Sequence, residues 1–100
     1  MDIENYSQII TLYFKVKRIQ NINGYSYSWY KNEIINIIKK NDDKLIRNIF
    51  NYLVKKKIVH KLKVNKSLFY IFNPFTNNIN KEDVIIKKNK KLDHILITFD

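Results

Sequence analysis

"LVKKKIVHKLKVNKSLFYIF", residues 53–72, changes its period partway along. It opens as the end of a helical apolar stripe and closes as a nearly continuous apolar run. Ile58, His60, Leu62 and Val64 alternate with Val59, Lys61 and Lys63, the period of two expected of a strand. Asn65 and Lys66 supply a tight turn, Ser67 to Phe72 a second strand, and Asn73–Pro74 its end. The stretch therefore reads as a hairpin, and it carries six lysines in all.

Upstream, Ile46, Ile49, Phe50 and Leu53 fall at i, i+3, i+4, i+7, reinforced by Leu45, which predicts an amphipathic helix. Asp42 or Asp43 can cap it, because a carboxylate accepts from the exposed N–H groups of a helix start. Lys55, Lys56 and Lys57 fall at its C-terminal end, where cations are favoured. "KNEIINIIKK", residues 31–40, sets Ile34, Ile37 and Ile38 on one face, widened by Ile35, and predicts a shorter helix. "YSYSW", residues 25–29, alternates aromatics with serines and predicts a short strand. Over residues 6–19, Tyr6, Ile9, Ile10 and Tyr13 form a further helical stripe, with Ser7 or Asn5 as its N-cap. Gly24, the single glycine, permits a turn after it. The expected order is helix, strand, helix, helix, strand, strand.

One hundred residues, 45% of them apolar, suffice for one small core. The net charge of +10 is unevenly placed. Residues 31–75 hold eleven bases against three acids, a net +8, while the flanks carry +1 each. A field concentrated in this way attracts polyanions. Alanine is absent, and the residues in excess have A/T-rich codons, which points to an A/T-rich genome. Glutamate has A-rich codons too, yet only Glu4, Glu33 and Glu82 occur, so codon bias alone does not make the chain basic. Without cysteine there is no disulfide framework, thiolate metal site or thiol nucleophile. The polar, acidic start is unlike a secretory signal, and no apolar run approaches a membrane span of about 20 residues. The expectation is an intracellular protein, cytoplasmic or nuclear, that does not engage a membrane.

Two helices joined by a short turn and followed by a basic hairpin resemble the winged-helix domain, a helix-turn-helix variant, over about residues 6–74. The resemblance implies an α+β fold of three helices, a small antiparallel sheet and a basic β-hairpin wing. Domain boundaries follow as 1–75 for this unit and 76–100 for a C-terminal extension. Within that extension "VIIKKNKKLDHILITF" reads as two short strands around a basic connection, or as a tail ordered by a partner. Two eukaryotic small-subunit ribosomal families are winged helices of similar length. "IITLYFK" and "YLVKKKIV…LFYIFNP" are similar to the plectin-type family, and "KLIRNIFNYLVKKKIV" to a family whose helix starts Leu-x-Arg. Val64 and Asn65 stand where the first family has a wing tryptophan, and the lysine-rich N-terminal arm of the second is missing.

The apolar stripe of the third helix must face the core, which leaves Lys44, Arg47, Asn48, Asn51 and Lys55 outward. Cations of this reach can meet phosphates, and Arg and Asn can make paired contacts to base edges. Lys61, Lys63 and Lys66 extend the surface onto the hairpin. The plainer readings are a solvated helix face and edge lysines that discourage sheet-to-sheet pairing. Asp42 and Asp43 weigh against phosphate binding at the helix start. Tyr25, Tyr27, Trp29 and Tyr30 are expected to pack, although such rings can stack on unpaired bases.

His60 and His94 have no companion at metal-ligand spacing, a single glycine makes no phosphate loop, and no catalytic constellation is evident. No metal, cofactor or enzymatic activity is expected. The candidate functions are a structural RNA-binding component of a ribosome or other ribonucleoprotein, slightly favoured, and a duplex-DNA-binding regulator from a virus or mobile element. A third is a winged helix for protein contact, with a partner or dimer interface through residues 84–99.

Overall fold

The stripe that predicts the third helix is buried as a row. In the computed structural model, which describes residues 2–17 and 22–87, Ile46, Ile49, Phe50 and Leu53 all lie on the inner side of α3, Asp43–Lys55. Asp42 is its N-cap, accepting from the Leu45 N–H at 3.2 Å. At the other end the Lys57 N–H donates to Val54 O and the Ile58 N–H to Leu53 O, both at 3.0 Å. This closure places Lys57 at a left-handed φ of 61°, where glycine is usual.

Among the described residues the order is α1 (Ile3–Val16), β1 (Asn23–Tyr25), α2 (Tyr27–Ile38), α3, β2 (Val59–Val64), β3 (Ser67–Phe72), a 3-10 turn at Lys81–Asp83 and β4 (Ile85–Lys87). It is an α+β fold of three helices and a four-stranded mixed sheet in the order β2–β3–β1–β4. β2 and β3 form the expected hairpin, from Val59↔Phe72 to Val64↔Ser67, with Asn65 at φ 58° in the two-residue turn. The sheet is not wholly antiparallel as expected, because β4 adds parallel to β1 with Asn23 opposite Ile85.

Three local expectations need correction. "YSYSW" is not one strand: β1 ends at Tyr25, the Ser26 hydroxyl accepts from the Trp29 N–H, and α2 starts at Tyr27. A serine that can cap a helix ended the period-two pattern, and Tyr27, Tyr30 and Ile34 were already helical in spacing. α1 is capped by Asp2, which accepts from Asn5 N–H at 2.9 Å, not by Asn5 or Ser7. Gly24 makes no turn. It lies buried within β1, where an added Cβ would stand 3.2 Å from Ile86 Cδ1 and 3.4 Å from Val84 Cγ1. The small residue lets the segment after β3 close on the sheet.

Both faces of the sheet are covered. Val59, Phe72 and Tyr70 turn toward the helices, where they join Tyr6, Ile10 and Phe14 of α1, Tyr30 and Ile34 of α2 and the α3 row. Phe69 and Ile71, one residue out of phase, are buried on the opposite face. There Val84 and Ile86 approach Gly24 beside Phe69. His60 is buried on that face and fixed by its Nε2–H, which donates to Asn73 O at 2.9 Å.

Aromatic edges hold the helical layer together. The Phe50 ring meets Tyr27 at 5.0 Å, Tyr30 at 5.5 Å and Tyr70 at 4.7 Å between centroids. Tyr30 is fully buried, its hydroxyl donates to Tyr70 O at 3.0 Å, and burial pushes its pKa far up. Phe50→Ala should cost about 3–5 kcal/mol through the cavity it leaves, read as a lowered midpoint in urea unfolding.

Half-burial raises the Glu33 carboxyl above its ordinary value, with Lys17 pulling the other way. The folded chain thus holds this proton more tightly than the unfolded chain, so the contribution of Glu33 falls as pH rises through its folded pKa. Glu33→Gln should raise the thermal midpoint at neutral pH, and the difference from wild type should close in acid.

Candidate nucleic-acid interface

Helical periodicity puts Lys44, Arg47, Asn48, Asn51 and Lys55 on the face of α3 opposite the buried row, and all five side chains are exposed. The acids at the head of this helix are locally engaged. Asp42 is occupied as the cap, and Asp43 Oδ1 lies 2.8 Å from Lys31 Nζ on α2. That pairing, with Arg47 adding to it, holds the Asp43 carboxyl below the usual carboxylate range. The ion pair is exposed, so it matters less for stability than for the sign of the surface.

Arg47 is placed by a ring. Its guanidinium carbon stands 4.2 Å from the centroid of Tyr27, which itself packs edge-on against Phe50. A guanidinium over an aromatic face keeps its charge while losing rotamer freedom. Tyr70, on the other side of Phe50, also feels Arg47: burial raises its pKa, and the nearby positive charge opposes the rise.

This packing joins the helix to the hairpin. Tyr70 is directly opposite Lys61, and Leu68 opposite Lys63. Residues paired in this way share a face of the sheet, and Val59 and Phe72 mark that face as the helical side. Lys61 and Lys63 therefore emerge on the same side of the sheet as α3, and both are exposed. Lys66 sits in the turn at the far end. The hairpin lysines Lys61 and Lys63 thus lie on the side of the sheet that carries α3, and contacts run from Arg47 through Tyr27 and Phe50 to Tyr70, the partner of Lys61.

Lys31 was not singled out from the sequence, and Tyr27 was expected to pack, with no arginine placed over it. Lys31 lies on a different helix from Asp43, so no local spacing reveals the pair. Tyr27 was hidden by the strand reading of "YSYSW". Tyr25 and Trp29 stack on each other, with centroids 3.7 Å apart and planes 7° from parallel, and pack against the core.

Among the described residues no three His, Cys, Asp or Glu side chains gather as a metal site would require. Also among them, no helix is long and apolar enough to cross a membrane. His94 and the basic connection beyond Lys87 lie outside the described residues, as does most of the 84–99 segment considered for a partner. No protein-family model, curated protein or solved structure matches the chain.

Asp43→Asn removes an acid at the head of α3 and frees Lys31. The variant should elute from a heparin column at higher salt than wild type, with an unchanged circular dichroism spectrum.

Proposed function

We propose that this chain is a winged-helix protein that binds nucleic acid and has no catalytic activity, with α3 as the helix presented to the ligand and β2–β3 as the wing. The observation that carries the reading is the shared side of the α3 cations and the hairpin lysines. The order α1–β1–α2–α3–β2–β3 and the strand order β2–β3–β1 support it.

Duplex DNA fits this surface best. A thirteen-residue helix with an outward row of Arg and Asn suits the major groove of B-form DNA, about 12 Å wide. Arg47, Asn48 and Asn51 would read base edges there, while Lys44, Lys55, Lys61, Lys63 and Lys66 hold phosphates. The major groove of A-form RNA is too deep and narrow for side chains to read. An RNA-binding role in a ribonucleoprotein is the second reading. It is favoured by the unbroken run Lys55–Lys57 leading into the hairpin, which can follow a phosphate backbone irrespective of sequence. Either ligand places the protein inside the cell.

Fluorescence anisotropy against a duplex DNA, an RNA hairpin and a single strand, each at low and physiological salt, separates these readings. The expected result is duplex binding that survives physiological salt. Preference for the RNA hairpin would establish the second reading, and loss of all binding with salt would overturn both and leave a protein-contact role. Lys63→Ala should flatten the dependence of log K on log salt by about 1, and Arg47→Ala should cost about 1–3 kcal/mol of affinity for the preferred sequence, both with an unchanged circular dichroism spectrum.

A further inference from the structure

Among the described residues, α1 carries three exposed large apolar side chains. Ile9 is 43% exposed, Leu12 62% and Val16 71%, on the side of the helix away from Tyr6, Ile10 and Phe14. With Asn5 they follow the 4-3-4 spacing of a coiled-coil seam, β-branched residues alternating with leucine after the asparagine. Phe75, 74% exposed, lies beside this helix, its ring centroid 5.3 Å from Lys15 Nζ.

Next to the ridge runs a groove of about 370 Å³ between α1 and the end of α3, lined by Gln8, Leu12 and Lys15 on one side and Tyr52, Lys56 and Ile58 on the other. Leu12 belongs to both ridge and groove. The charge is polar along the helix axis: Asp2 and Glu4 stand at the start of α1, Lys15 and Lys17 at its end.

We propose that this face is the interface of a two-fold homodimer in which α1 packs antiparallel against α1 of a second copy. Ile9 then meets Leu12 of the other chain, and Val16 meets Asn5 near solvent. Glu4 comes to the Lys15–Lys17 end. A parallel pairing would put acid against acid and base against base, so the charge pattern selects the antiparallel one. α1 has fourteen residues, about 21 Å of helix, so the contact is at the small end of specific interfaces. This proposal is independent of whether the ligand is nucleic acid.

Sedimentation equilibrium of the full chain over micromolar to millimolar concentration tests it. The expected result is a reversible monomer–dimer equilibrium. Leu12→Arg should abolish the dimer, and at concentrations where both proteins are monomeric the thermal midpoints should coincide, since the side chain is mostly exposed. Glu4→Lys and Lys15→Glu should each weaken the dimer, and the double exchange should restore it. A chain that stays monomeric to millimolar concentration, a dimer indifferent to Leu12→Arg, or single exchanges that the double does not rescue would each overturn the proposal.

Discussion

The ring of Phe50 is where the structure is joined. It stands on the inner side of α3 and is met by Tyr27 and Tyr30 from α2 and by Tyr70 from the hairpin. Rings that pack edge to face contribute through area and through the fit of a positive edge to a negative face, so each fixes the angle of its neighbour. Because Tyr27 also lies beneath Arg47, and Tyr70 is paired with Lys61, the same contacts that close the core set the separation of the outward cations. The candidate interface is the outer surface of an aromatic cluster, which is why loosely held lysines and an arginine can form a surface of definite shape.

Much of this was legible in residue spacing. The α3 stripe, the change to a period of two after Lys57 and the Asn65–Lys66 turn were all visible, because each is a local signal. The eight exposed polar positions on α3 and the hairpin followed from the same patterns. What was not legible depended on contacts between distant residues. Gly24 looks like a turn until Val84 and Ile86 close upon it. The parallel addition of β4 has no signature in a three-residue strand. The Lys31–Asp43 pair, which changes how an acid at the helix head should be weighed, links two helices. The strand reading of "YSYSW" failed because Ser26 can both alternate with aromatics and cap a helix, and capping prevailed.

A +10 chain of this size repels itself, and the fold disperses the cost unevenly. Lys40 lies against the ring and hydroxyl of Tyr6, Lys17 over Tyr13, Lys56 over Tyr52 and Lys15 over Phe75. Along the sequence no acid falls between Asp43 and Glu82, the stretch that holds the α3 face and the β2 strand. Charge is thus moderated by aromatic rings around the flanks of the helices and concentrated on one side.

Lys39, Lys57 and Asn65 all occupy left-handed backbone, a conformation that costs an L-residue with a side chain roughly 1–2 kcal/mol and glycine almost nothing. Two of these close helices and one turns the hairpin, so each position would accept glycine. Yet no single base change converts a lysine or asparagine codon into a glycine codon, and the glycine codons are rich in G. In a genome biased toward A and T, the route to a better residue runs through an intermediate that is no better and ends on a codon the mutational pressure erodes. Each of the three bends therefore holds back stability that glycine would release.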